Sequence, residues 1–587
     1  MAMQIGQPPG PAAKLAIHFG RGAARQVDSM LARQNLSGMP VHRRGISGGA
    51  IGYLGDAGMP SRGNACLFTG LPINGPDVAC IVDAEAAERV FPQYDGAFAG
   101  VFWDAGQEVL VVVTDCLGMQ PLYLHRTDDG LTLVSETKAL RGEPDLAAWG
   151  AFISIGHPIG ARSLMAGLER VPPASILRYD SARDELKIQR YFEWPSASES
   201  WRDYDFLGAL ERDVLGYAAY GDPGTVLLSG GFDSRLLLFL LRRARIPVDA
   251  LIVAHDDEFG DTDGRLAEKI ARIAAAPYRK VHPPTDFFSS PAYLRYLVAS
   301  DVGFPSLDLF IAKVASQIDA PAVWDGLVPG FAFMPLHQPE GGFDAYLRQE
   351  VRGPDSVIWK AAASLFKREV VEVMHEGFKD DLCAEVERLP QDMHGLARFV
   401  IENRSRNRAA MNPLKVYANL TRAFTPGLSK DFMIHAATIP FDEKRNAGFY
   451  RKLFAKLDPR ALAVPFLSGG DLVKSGRNDR AWHAERLRAG YHVFRSRHPR
   501  LFGHGQDSRA ARSSFLGGHL FEDDDRWLNP GAREKLQSTR NDNYLVWKLL
   551  LHWKVWRWVH EGRLDTNLGP HCVRCMPNAR GDSRSID

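Results

Sequence analysis

Two unlike parts are predicted for this chain: a layered α+β domain, then an α/β domain built on a doubly wound parallel sheet, with a mainly helical C-terminal part. Three observations predict it. Residues 1–195 hold short β-like runs separated by Gly, Pro and Asp. After residue 224, strand-like and helix-like runs alternate at the spacing of βαβ units. From about residue 355 to 480 the apolar periodicity becomes mainly helical, and residues 481–587 are rich in Arg, Trp and His.

In chain order, Ala65–Thr69, Phe98–Trp103, Glu108–Thr114 and Leu131–Ser135 read as strands of an antiparallel layered domain, each bounded by turn residues. The polar, Pro-containing stretch Trp194–Ser200 reads as a linker. Thr225–Leu228 is an apolar strand running into Gly230 and Gly231, and Ser234–Ala244 is a helix with a heavily apolar face. Val248–Ala254 is a second buried strand, Thr262–Ala275 an amphipathic helix and Tyr278–His282 a third strand. The expected domains are 1–195, 200–480 and a helical extension 481–587, with helical stretches such as Tyr544–Val559.

The bulk numbers set bounds. At 587 residues the chain exceeds one ordinary core, and 45% hydrophobic with 24% charged residues is a soluble globular composition. A formal charge of +1 gives no global attraction to nucleic acid or an acidic membrane, so charged substrates must be met locally. Six scattered cysteines do not make a disulfide framework. Residues 1–20 lack the cationic start and apolar core of a signal peptide, and no apolar run reaches the ~18 residues of a membrane span. A cytoplasmic protein is expected.

The segment that carries chemistry is Leu227-Leu228-Ser229-Gly230-Gly231-Phe232-Asp233-Ser234-Arg235, between a buried strand and a helix. Glycines let a backbone approach an anion closely, and the following helix offers free N–H groups and its positive dipole end. Ser229 and Ser234 add hydroxyl donors, Asp233 can hold a magnesium ion on the phosphates, and Arg235 can neutralise further charge. A Ser-Gly-Gly turn needs no ligand by itself. Its strand–loop–helix setting with Asp-Ser following favours phosphate. No Gly-Lys-Ser/Thr occurs, so this is not the loop of ordinary NTPases.

SGGFDS resembles the pyrophosphate-loop signature of enzymes that cleave ATP to AMP and pyrophosphate. Asp95–Asp104, Thr114–Tyr123, Ser135–Leu140, Leu168–Ala174 and Phe68–Asn74 are similar to landmarks of the glutaminase half of asparagine synthetase. Asn419–Pro440 is similar to that family's Arg-x-Pro-Phe-Leu-Asp stretch. The resemblance implies an αββα glutaminase-like domain followed by an adenylating domain. It also implies ATP and Mg2+, with phosphates on Ser229–Ser234, the base near Leu228 and Val253, and Gly326 opposite the loop.

The chain departs from that family at three places. It begins Met1-Ala2-Met3 and its first cysteine is Cys66, in an apolar strand pattern, so a terminal thiol nucleophile and glutamine hydrolysis are not expected. The family's Gly-x-Gly-x-Asp-Glu segment corresponds to Asp325–Phe333, where Gly330 and Phe331 stand in place of the acids. Asp325, Asp308 or Asp301 can substitute, Asp325 being the metal candidate beside Asp233, although a loop or capping role suits each. Lys474 resembles the family's lysine that faces the phosphates, giving Lys474 and Asp233 as catalytic candidates, with a surface lysine as the alternative.

His571, Cys572 and Cys575 are too few for structural zinc and read as a disordered tail with two thiols. The aromatic–basic run Trp547–Trp558 reads as a helix with a packed Trp face and snorkelling Lys and Arg, not as a nucleic-acid or membrane contact. The resemblance implies an ATP-dependent ligase joining a carboxylate to an amine, with an intramolecular amine as in lasso-peptide cyclases. Its partners would be a carboxylate substrate such as a precursor peptide, and a partner protease. The alternatives are an asparagine synthetase-like enzyme using ammonia or glutamine, and a catalytically silent scaffold.

Overall fold

The computed structural model describes residues 13–36, 38–56, 59–194, 201–221, 224–254, 261–282, 291–301, 314–333, 339–468, 471–474, 479–497, 526–532 and 544–564. Most of the linker Trp194–Ser200, Asp308, and the His571–Cys575 tail lie outside them.

Two antiparallel sheets stack in the N-terminal part. One runs Val41–Ile46, Gly49–Leu54, Lys14–Gly20, Gly130–Val134, Tyr123–Thr127, Leu168–Arg170; the other runs Glu185–Arg190, Ser175–Asp180, Val109–Thr114, Asp95–Asp104, Ala65–Ile73. Strand alternation assigns the layers. Leu15, Ile17 and Phe19 of the first sheet meet Val101, Trp103, Leu110 and Val112 of the second. On the outer faces, Ala16, Ala50 and Val134 pack on Val27, Met30 and Leu31 of the helix Ala23–Gln34. Phe102, Val109, Val111 and Val113 pack on Ala84, Ala87 and Val90 of the helix Ala84–Val90. The result is the expected αββα sandwich.

The third sheet is wholly parallel, in the order Tyr278–Val281, Val248–Val253, Gly224–Leu227, Ala322–Trp324, Arg422–Phe424. Helices cover both faces. Val226, Ala250 and Ile252 pack with Leu236, Leu237 and Leu240 of the helix Asp233–Arg243. Leu251, Val253 and Val323 face Leu294, Leu297 and Val298 of the helix Pro291–Ala299. The doubly wound sheet predicted from the strand–helix rhythm is present, and the strands and helices predicted between residues 225 and 282 end within about two residues of their observed ends, whereas the predicted strand Ala65–Thr69 runs on to Ile73. The order also reverses. The chain moves outward from Gly224–Leu227 to one edge, then returns to place Ala322–Trp324 on the other side of the same strand. Such a switch point opens a crevice at the strand carboxyl ends.

The remaining described part is mainly helical, including the 20-residue helix Arg368–Glu387. The helix Tyr544–His560 is enclosed rather than displayed. Trp553 and Trp556 are fully buried and meet Trp149 edge-on at 4.9 and 5.9 Å between ring centroids. Lys554 is buried as well, so the snorkelling expected there does not occur. Arg33 donates to the carbonyl of Val559 at 2.5 Å, and His560 Nδ1 lies 3.0 Å from Leu140 O, fastening this helix to the N-terminal layers. Among the described residues no helix is long and apolar enough to cross a membrane.

Replacing Trp553 by Ala should destabilise the protein by about 3–5 kcal/mol, because the cavity has no side chain able to fill it. Leu487→Ala, at a 77% exposed position, should change stability by no more than about 0.5 kcal/mol. Chemical denaturation midpoints of the two variants check this contrast.

Candidate functional site

The loop 228–232 leaves the carboxyl end of the strand Gly224–Leu227, and the helix Asp233–Arg243 begins directly after it. Ser229 Oγ and Ser234 Oγ lie 3.0 Å apart, Ser234 Oγ accepts from the Ser229 N–H at 3.0 Å, and Ser229 Oγ accepts from the Gly231 N–H at 3.2 Å. The two hydroxyls thus hold the loop's own curvature. The Gly230 N–H donates to Asp263 Oδ1 at 2.9 Å, from the first turn of the helix Thr262–Ile273. A Cβ on Gly230 would stand 2.9 Å from Leu266 Cβ, so glycine is needed there to seat the loop on that helix. The residue before the helix, Phe232, has helical backbone angles and its side chain caps nothing. The first turn of this helix therefore lacks a side-chain cap from Phe232 and starts at the carboxyl end of the sheet, beside the switch-point crevice.

From across the crevice, Asp325 and Gly326 follow the strand Ala322–Trp324. A Cβ on Gly326 would lie 2.7 Å from both Asp233 C and Ser234 N. Only glycine allows the two loops to touch. Next comes the helix Leu327–Phe333, where a Cβ on Gly330 would lie 2.8 Å from Asp233 Oδ2. The position where the resemblance leads one to expect an acid thus does point at the Asp233 carboxylate, but carries no side chain.

Asp233 and Asp325 are the electrostatic centre. Burial pushes the Asp233 carboxyl up to about 7; the Tyr450 hydroxyl donating to it pulls the other way, and the negative charge of Asp325 adds to the rise. Burial pushes Asp325 up to about 6, against a hydrogen bond from the Leu327 N–H. Among the described residues no Lys, Arg or His forms an ion pair with either. Nor do three or more His, Cys, Asp or Glu gather there into an all-protein metal site. Two uncompensated carboxylates beside an uncapped helix end suit a magnesium ion that completes its shell with phosphate oxygens and water.

The other expected residues distribute unevenly. Leu228 and Val253 are core residues at strand ends, the Leu228 N–H donating to Leu251 O at 2.9 Å. Arg235 is a correction. Its guanidinium donates to the carbonyls of Ala461, Val464, Gly230 and Pro465 at 2.8–3.0 Å and lies 4.1 Å from the Phe466 ring centroid. Fully buried, it braces the loop against the segment 461–466 instead of facing an anion. That segment continues into the hairpin Phe466–Ser468/Asp471–Val473, whose Leu467 N–H donates to Gly230 O at 3.1 Å. Lys474 follows the hairpin and is exposed, its ammonium 5.0 Å from the Trp482 ring centroid. Asp301 is a second correction: it is held by Lys415 and Lys138 in a separate buried cluster and does not serve this crevice. Tyr450 was missed, because nothing in the sequence around 448–454 marks it apart from core aromatics.

Cys66 is half-buried in the strand Ala65–Ile73, and burial pushes its thiol up to about 12. Cys116 is buried and its thiol is likewise raised well above the usual range. Neither is an activated nucleophile.

Residues 78–192 match the family described as glutamine amidotransferase domain, so the N-terminal sandwich contains a glutamine amidotransferase-like domain. Among solved structures, the glutamine phosphoribosylpyrophosphate amidotransferase of B. subtilis complexed with ADP and GMP is 13% identical, with a TM-score of 0.23 over 46% of this chain and 90% of that one. A structure described as the allosteric regulatory enzyme of purine biosynthesis is 12% identical, with a TM-score of 0.23 over 46% of this chain and 81% of that one.

The raised carboxyls set a pH dependence. Their folded values lie above the ordinary carboxylate value, so ionising them costs folding free energy. Stability contributed by the protonated pair is present at low pH and lost as pH rises from about 4 through about 7. In thermal melts the wild type should lose more stability between pH 5 and pH 8 than Asp233→Asn/Asp325→Asn. Equal pH slopes in the two proteins would show that the pair is not desolvated.

Proposed function

We propose that the chain is an ATP-dependent amide-forming ligase that adenylates a carboxylate at the switch-point crevice and passes it to an amine. The observation that carries this reading is the convergence of an uncapped helix N-terminus with two unpaired carboxylates, Asp233 and Asp325, across a glycine contact at Gly326. An anion and a divalent cation are the two species that such a place stabilises together.

In this reading the triphosphate lies on Ser229–Ser234, with Leu228, Val253 and Gly326 walling the nucleotide. Asp233 and Asp325 would hold Mg2+, which would supply charge neutralisation at the phosphates. A substrate carboxylate oxygen attacks the α-phosphorus, the α–β anhydride bond breaks, and pyrophosphate leaves. An amine then attacks the acyl carbon, AMP leaves with the bonding pair, and the amine gives up a proton. The backbone N–H groups of the helix start orient the phosphates, and Lys474, on a chain segment next to the loop-bound hairpin, supplies positive charge in the transition state. Arg235 acts through the loop that it braces. The specific role favoured is cyclisation of a precursor peptide by its own amine, as in lasso-peptide cyclases, in the cytoplasm and alongside a protease. It follows the asparagine synthetase resemblance together with the thiols of half-buried Cys66 and buried Cys116, both pushed up by desolvation.

A second reading, amidotransfer from glutamine or ammonia in the manner of asparagine synthetase, is favoured by the amidotransferase match over residues 78–192. Pyrophosphate release with ATP, Mg2+ and candidate peptides, set against glutamate release from glutamine, separates the two. Absence of ATP binding by calorimetry would sink both and leave a silent scaffold. Asp233→Ala should lower pyrophosphate release by at least about 100-fold while the melting curve stays cooperative. Lys474→Ala should lower kcat by about 10- to 100-fold with little change in ATP affinity. An unchanged kcat would return Lys474 to the surface.

A further inference from the structure

The layer between the N-terminal sandwich and the helices after residue 400 is unusually charged for a buried interface. Lys14, Lys138 and Lys415 surround Glu136 and Asp301. Lys14 pairs with Glu136, Lys138 lies 2.5 Å from Glu136 Oε2 and 3.5 Å from Asp301 Oδ1, and Lys415 pairs with Asp301 and donates to the Tyr123 hydroxyl at 3.1 Å. Beside them Arg170 donates to Arg406 O, Asn407 Oδ1, Gly118 O and Met119 O at 2.8–2.9 Å. Arg406 donates to Gly118 O and Val171 O, so two guanidiniums share a site whose nearby carboxylate is Asp115.

None of these eight side chains is more than 5% exposed. Five cations therefore face three carboxylates, an excess of two positive charges out of water. Among the described residues, other nearby acids do not close the gap. Glu402 is already shared by Arg388, Arg398 and Arg190, while Asp145 and Asp381 are taken by Arg162. An uncompensated buried charge costs several kcal/mol, and the usual answers are deprotonation or a counterion. Burial lowers the Lys14 ammonium to about 8, a partial relief only.

A cavity of about 50 Å³ sits within this cluster, lined by Lys415, Arg170, Asp301, Asn407, Ser163 and Thr137 among others. Arg170 Nε is buried without a hydrogen-bond partner. The volume takes three or four waters, or one small oxyanion. We propose that this interdomain cavity binds a small oxyanion, of carboxylate or phosphate size, held by Lys415 and Arg170 and serving as the missing counter-charge that locks the two layers together. Thr137 and Asn407 supply neutral donors beside it, while the Ser163 hydroxyl donates to Met165 O at 3.1 Å and lines the wall. This site is separate from the crevice at Asp233 and does not depend on the ligase reading.

The test uses the full chain at pH 7, exchanging chloride for phosphate or for acetate at constant ionic strength while following thermal unfolding. A saturable rise of about 3–6 °C is expected with at least one of them. Phosphate acting alone identifies a tetrahedral guest, acetate alone a planar carboxylate. Ser163→Asp puts a carboxylate into the cavity. Its side chain can still accept from the Met165 N–H, which Ser163 Oγ does at 3.2 Å. That variant should melt above the wild type in chloride and gain nothing from either anion. Should it fail to fold, calorimetric injection of phosphate and acetate into the wild type decides alone. No saturable shift and no heat in the wild type, or an equal shift in Ser163→Asp, overturns the site.

Discussion

The reversal of strand order beside Gly224–Leu227 is the constraint on which the candidate site depends. Because Val248–Val253 lies on one side of that strand and Ala322–Trp324 on the other, two loops leave neighbouring strand ends in opposite directions. The crevice between them closes only as far as Gly326 lets it. Its missing side chain brings Asp325 and the start of the helix Asp233–Arg243 to one place. Every electrostatic feature of the site, including the raised carboxyls and the uncapped N–H groups, follows from that approach.

The loop itself is stiffened from three sides. Ser229 and Ser234 satisfy its internal polar groups, Asp263 holds the Gly230 N–H, and Arg235 ties it to the segment 461–466. A buried guanidinium with four carbonyl partners is costly to disturb, since removing it would strand those carbonyls. Such bracing positions the helix N-terminus without occupying it. Around the crevice the structural work is thus carried by Ser229, Ser234, Asp263 and Arg235, and Asp325 has no ion-pair partner among the described residues.

A different physics holds the two halves together. The faces of the αββα sandwich are closed by apolar layers, whereas the contact with the helices after residue 400 sets buried charges beside an apolar cluster that joins Leu117 and Met119 to Met411 and Leu414. Apolar contacts tolerate small shifts, but a buried ion pair does not, because separating it exposes an unscreened charge. The helix Tyr544–His560 lies against the same N-terminal layers with Trp553, Trp556 and Trp558 buried.

Local regularities were legible in the amino-acid sequence. Alternating apolar runs marked the antiparallel layers, strand–helix rhythm marked the parallel sheet, and Ser229–Ser234 stood out because two glycines and two hydroxyls gather at one strand-to-helix turn. Two things were not legible. Arg235 follows the loop in sequence yet turns from the crevice, since its fate depends on carbonyls 226 to 230 residues away. Lys14, Glu136, Asp301 and Lys415 form one cluster from four distant stretches, and nothing local in the sequence marks any of them as a partner of the others. The sequence by itself determined the elements, their order and the place of the loop between a strand and a helix, because these rest on spacings of a few residues. Tertiary structure alone decided which charges are paired, which carboxylates meet and which arginine faces inward, because Coulomb energy and desolvation depend on distances that no spacing along the chain encodes.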